Sequence, residues 1–108
     1  MINRRLPAEW EPQSAVQLTW PHEESDWADD MDIVVPCFVA IAREVLKRQK
    51  LVVVCKDSEA VRKQISSESA NLILAELPTN DTWARDHGAI SIEEGGKPVL
   101  LDFVFNGW

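Results

Sequence analysis

Leu51-Val52-Val53-Val54-Cys55-Lys56-Asp57-Ser58 is the stretch on which the fold turns. Leu51 to Cys55 is an unbroken apolar, largely β-branched run, suited to a strand buried on both faces, and Asp57-Ser58 then caps a short helix through about Ile65. Upstream, Met31 to about Arg48 reads as a helix that exposes Arg43, Glu44, Lys47 and Arg48. The polar, acidic loop His22 to Asp30 leads into it, with Asp29 and Asp30 placed to cap and charge its amino terminus. Pro36 removes one hydrogen bond within that span, so it either kinks the helix or marks its true first turn. Ala15 to Trp20 alternates Val16, Leu18 and Trp20 with Gln17 and Thr19, the period-two pattern of a half-buried strand, and Pro21 ends it.

Downstream, Leu72 to Leu77 is a further strand that stops at Pro78. Ala89 to Glu93 alternates again, Gly95-Gly96 supplies the positive φ of a tight turn, and Val99 to Phe105 returns as its hairpin partner. Residues 1–14 are irregular, restricted by Pro7 and Pro12, with Trp10 as their only large anchor. The order strand, helix, strand, helix, strand, loop, hairpin combines crossover connections with an antiparallel pair. It predicts an α/β fold, a mixed sheet with helices on it.

The 108 residues suffice for one small domain, residues 1–108, and 45% apolar content can supply its core. Eighteen acidic against eleven basic side chains give a net charge of −7, which repels nucleic acid and anionic membranes and suits a cationic ligand as well as an ordinary solvated surface. No apolar run is long enough to span a bilayer, and the residues after Met1 are polar where a leader would be apolar, so a soluble cytoplasmic protein is expected. Cys37 and Cys55 lie among apolar neighbours with no partner at metal-ligand spacing and read as structural thiols. His87 has no histidine or cysteine close in sequence, and no metal site is expected. The chain stops abruptly at Asn106-Gly107-Trp108 on an apolar tryptophan, as if inside a longer protein.

Thr79-Asn80-Asp81-Thr82-Trp83-Ala84-Arg85-Asp86-His87-Gly88 crowds two carboxylates, a guanidinium, an imidazole and an indole into a loop that follows a strand. A planar cation such as guanidinium is held by a carboxylate accepting two parallel N–H bonds beside an aromatic face that excludes water; Asp86 and Trp83 fit those roles. The same residues also admit a purely structural account. In it Asp81 caps a turn, Trp83 fills the edge of the core, and Arg85 and Asp86 pair with surface neighbours.

The segment Asn80-Asp81-Thr82-Trp83-Ala84-Arg85-Asp86-His87-Gly88 resembles the signature loop of the agmatine deiminase and bacterial-type peptidylarginine deiminase family. Leu6-Pro7-Ala8-Glu9-Trp10-Glu11-Pro12, Leu18-Thr19-Trp20-Pro21-His22 and Leu101-Asp102-Phe103-Val104-Phe105-Asn106-Gly107-Trp108 are similar to stretches of the amino-terminal third of those enzymes, in the same order. The resemblance covers nearly the whole chain and is greatest to the agmatine deiminase branch. Ala89 stands where a proline commonly follows the glycine.

The resemblance implies a pentein-type α/β propeller, of which this chain supplies the first blade and the start of the next. It implies a reaction in which a cysteine thiolate attacks the guanidinium carbon, ammonia leaves and water hydrolyses the covalent intermediate, with no cofactor. By position, Asp86 matches the guanidinium-binding aspartate and Trp83 the tryptophan that walls the site. Asp81, Arg85 and His87 shape the loop, and Asn106 and Trp108 lie near the pocket. The nucleophilic cysteine and the general acid/base histidine are expected beyond Trp108, so this chain holds no catalytic residue and is expected to be inactive alone.

The expected partners are a small guanidino substrate, agmatine giving N-carbamoylputrescine and ammonia, and the remainder of the deiminase chain, with homo-oligomerisation open. Three other readings stay open: peptidyl-arginine as the substrate, a guanidinium-binding or vestigial module without chemistry, and a piece whose exposed sheet edges drive self-association.

Overall fold

Leu51–Cys55 forms the central strand of a parallel sheet, because a β-branched run favours extended backbone and its alternate side chains meet a helical layer. The structure, a computed structural model, describes residues 2–104. The elements in order are β1 (Arg4–Arg5), β2 (Val16–Thr19), a 3-10 turn (Ala28–Asp30), α1 (Met31–Leu46), β3 (Leu51–Cys55), α2 (Ser58–Ile65), β4 (Leu72–Glu76), α3 (Ala84–His87), β5 (Ile90–Glu94) and β6 (Lys97–Leu101). They fall into two compact units, residues 14–82 and residues up to 13 together with those from 83 onward.

In the unit of residues 14–82, β2, β3 and β4 pair in parallel in that order, with Val16 opposite Leu51 and Leu51 opposite Leu72. This register lines Val16, Leu51 and Leu72 in one row and Leu18, Val53 and Leu74 in the next, on the face that packs against Ala42, Val61 and Ile65 of the helices. Trp20 and Phe38 close that core edge-to-face, with ring centroids 5.6 Å apart. The other face is less covered. Val52 and Val54 are half-buried and Ile73 is 45% exposed, so the central strand is not buried equally on both sides. Thr19 is buried on that second face, and its hydroxyl has no hydrogen-bond partner among the described residues.

α2 begins where the sequence indicated: the Asp57 side chain accepts from the Ala60 amide at 3.1 Å. The capping of α1 differs from expectation, although the helix begins at Met31 as expected. Asp29 and Asp30 form the 3-10 turn, and Asp30 occupies the cap position without a side-chain capping bond. Their charge still favours the helix amino terminus. Helix α1 starts at Met31, so Pro36 lies inside it and does not mark its first turn.

The other unit is a three-stranded antiparallel sheet ordered β1-β5-β6. Gly95 and Gly96, at φ +59° and +79°, make the two-residue turn between Glu94 and Lys97. Residues 2–13 are not wholly irregular, since Arg4 and Arg5 pair with Glu94 and Glu93 as a short edge strand, reinforced by ion pairs of 2.8 and 2.9 Å. Trp10 does not anchor the segment; it is 88% exposed. The expected single mixed sheet is therefore two sheets, one wholly parallel and one wholly antiparallel. The hairpin finds its third strand in β1, a pairing about 90 residues distant in sequence that local patterning does not reveal. No helix among the described residues is long and apolar enough to cross a membrane.

Candidate functional site

Two loops leave the carboxyl ends of β2 and β4, which flank β3 in the parallel sheet, and ligand-binding residues of α/β folds concentrate at such ends. Residues 21–27 and 79–82 are tied together by three side-chain bonds. The His22 Nε2 donates to the Thr79 carbonyl (2.9 Å), the Asp26 amide to Asp81 Oδ2 (3.1 Å) and the Trp27 indole N–H to Thr82 Oγ1 (2.9 Å). Asp81 is 8% exposed and its second oxygen accepts from the Thr82 amide at 2.8 Å. A buried carboxylate accepting backbone N–H groups in this way fixes the local loop shape.

In the other unit, the chain from Trp83 makes a single helical turn. The Trp83 carbonyl accepts from the Asp86 amide (3.0 Å) and the His87 amide (3.2 Å), and the Gly88 amide closes on the Ala84 carbonyl at 2.7 Å. Gly88 has an ordinary φ of −71°; what demands glycine there is closeness, since a Cβ would lie 2.6 Å from the Ala84 carbonyl oxygen. Trp83 is 40% exposed, Asp86 is exposed and His87 half-buried. Among the described residues no hydrogen bond or ion pair engages the Asp86 carboxylate. Arg85 does make a surface contact, 3.7 Å from Glu9, but both side chains are 88% exposed and such a pair contributes little.

An exposed carboxylate with no partner among the described residues keeps its full hydrogen-bond-accepting capacity. Asn106 and Trp108 lie outside the described residues. The two thiols differ more than the sequence suggested. Cys37 is exposed, whereas Cys55 is buried and its thiol is pushed up by burial and then by the nearby Glu76 and Asp57 charges, the reverse of an activated nucleophile.

A cleft of about 480 Å³ opens at the carboxyl ends of β2 and β3, lined in part by Trp20, His22, Met31, Lys56 and Gln64. None of the expected site residues among the described residues lines it, and several of its polar groups are engaged within the protein. The Trp20 indole donates to Gln64 at 2.8 Å, Lys56 pairs with Glu24, and both His22 nitrogens are engaged. Sequence reasoning passed over His22, Asp26, Trp27 and Thr82. The one signal that could have found them is their place just after strands that prove to flank β3 in one parallel sheet.

The fold is that of an α/β protein whose segment 79–88 carries two carboxylates and an indole. Residues 5–108 match the family model of the Porphyromonas-type peptidyl-arginine deiminases, and the chain belongs to that family. It is 26% identical over 105 residues to the agmatine deiminase of Pseudomonas aeruginosa, an alignment covering 96% of this chain and 28% of that protein. The C. jejuni agmatine deiminase, solved as a cysteine-to-serine variant with substrate bound, superposes with a TM-score of 0.90 at 31% identity, covering 99% of this chain and 32% of that one. A Porphyromonas gingivalis protein described as a candidate arginine deiminase superposes with a TM-score of 0.87 at 50% identity, over 98% of this chain and 32% of that one. The chain thus spans under a third of the length of the relatives it matches.

Proposed function

We propose that this chain supplies the guanidinium-binding part of a deiminase that converts agmatine and water into N-carbamoylputrescine and ammonia. The observation that carries the reading is the Asp86 carboxylate, unpartnered among the described residues and exposed on the turn that begins at Trp83. In this reading Asp86 accepts two N–H bonds from the guanidinium and Trp83 walls its face. A thiolate adds to the guanidinium carbon, ammonia departs, and water releases the product from sulfur.

That thiolate comes from outside residues 1–108, because Cys55 is buried with its thiol pushed up and Cys37 sits on the side of α1. The substituted cysteine of the substrate-bound C. jejuni structure, numbered well past 108, supports this division of labour. The likeness to those structures supports a pentein-type propeller in which residues 1–108 form the first blade and the start of the next. Two free thiols accord with the reducing cytoplasm.

A second reading, peptidyl-arginine as substrate, is favoured by the family's description. The deciding experiment measures ammonia release from agmatine and from an arginine-containing peptide, using the protein encoded by the complete reading frame and the 108-residue chain. Release from agmatine by the former alone is expected. Release from the peptide alone replaces the substrate, and turnover by the short chain refutes an external nucleophile.

A further inference from the structure

We propose that His22 is a positioning residue for the guanidinium site, its neutral imidazole pinning residues 79–82, the four that precede Trp83 in the sequence. The inference rests on the deiminase reading. The Glu24 amide donates to His22 Nδ1 at 3.0 Å, so the ring proton sits on Nε2, which donates to the Thr79 carbonyl at 2.9 Å. The base of the imidazole is itself held: Ser25 is 7% exposed, its hydroxyl donates to the His22 carbonyl at 2.7 Å, and it accepts from the His22 amide at 3.3 Å. Both ring nitrogens and the backbone on either side of the side chain are therefore committed to one geometry. The Asp26–Asp81 and Trp27–Thr82 bonds extend the same tie along residues 79–82.

Residues 79–82 lie between β4 and the Trp83 turn without regular structure of their own, so what orders them is this set of bonds. When only a fraction of molecules hold a binding segment in its competent form, apparent affinity falls by that fraction while the bound complex reacts as before. Loss of the His22 bond belongs in KM and not in kcat.

The test is steady-state deimination of agmatine and of an arginine-containing peptide by the protein of the complete reading frame. It is read beside amide hydrogen exchange at Asp26 and Thr82. His22→Ala is expected to raise KM on the order of tenfold with kcat within about twofold, and to speed exchange at both amides. His22→Gln, whose side-chain amide reaches the same carbonyl, restores both. A purely structural role predicts fewer active molecules, hence a lower kcat at unchanged KM, and that result overturns the proposal. Should His22→Ala not fold, Trp27→Phe, which removes the indole N–H that bonds Thr82, decides it: a raised KM supports the clamp and an unchanged KM overturns it. A wild-type protein inactive on both substrates refutes the deiminase reading and the role of His22 with it. An active wild type whose KM ignores these changes refutes His22 alone.

Discussion

The Asp81 carboxylate and the Asp26 backbone amide, 55 positions apart in sequence, are joined by a hydrogen bond of 3.1 Å. With Asp81 removed, two backbone N–H groups, of Asp26 and Thr82, lose their acceptor. Asp81→Ala is therefore expected to destabilise the protein by about 2–4 kcal/mol, and Asp81→Asn, which keeps one acceptor oxygen, by roughly half as much. Urea unfolding of the three proteins checks this.

Asp86 is expected to behave in the opposite way. Its carboxylate holds nothing among the described residues, so Asp86→Ala leaves thermal stability within about 0.5 kcal/mol of wild type. In the protein of the complete reading frame the same change lowers kcat/KM for the guanidino substrate on the order of 100-fold or more, through loss of paired charge-assisted bonds. Near-normal turnover would remove the central residue of the proposed site.

Gly88 separates close approach from backbone freedom. Gly88→Ala places a methyl against the Ala84 carbonyl and is expected to open the turn that presents Asp86, costing about 1–3 kcal/mol and weakening substrate binding. Gly96→Ala meets no atom within 4 Å and strains only φ, so it costs about 1 kcal/mol and leaves binding intact. Unfolding midpoints and KM for the pair of variants distinguish the two causes.

Ion pairs set the response to acid. Hydrogen bonds from the Arg5 guanidinium hold the Glu11 carboxyl below its usual 4.5, with the Ala8 amide assisting; Lys56 does the same for Glu24, and Lys47 and Arg48 for Glu44. A carboxyl depressed in the folded state contributes stability that is present above its unfolded pKa and lost as pH falls through the folded one. Stability is thus expected to decline below pH 4.5, and Glu11→Gln to shallow that decline. Cys55, raised above 9.0, works at the other end: its contribution is present below the unfolded thiol pKa and lost as pH rises past it. Melting temperature followed across the acid and alkaline limbs, with Cys55→Ala as the alkaline control, tests both.

Wherever local chemistry decides, the sequence was a sufficient guide. The apolar run Leu51–Cys55 made a strand, Asp57 capped α2, and Gly95-Gly96 closed the hairpin, because each outcome depends on propensities and bonds within a few residues. Trp83 and Asp86 were candidates on side-chain chemistry alone, which is intrinsic, and their proposed role awaits the substitutions above. What local patterning could not supply was pairing across distance. That β1 completes the hairpin sheet, that parallel and antiparallel strands form separate sheets, and that His22 and Asp26 meet Thr79 and Asp81 are outcomes of tertiary packing. Each joins groups dozens of residues apart, and only the folded chain brings such groups within hydrogen-bonding distance. For the same reason the two aspartates of one loop parted company: Asp81 became a buried strut and Asp86 an open acceptor, a difference of environment that identical side chains cannot declare.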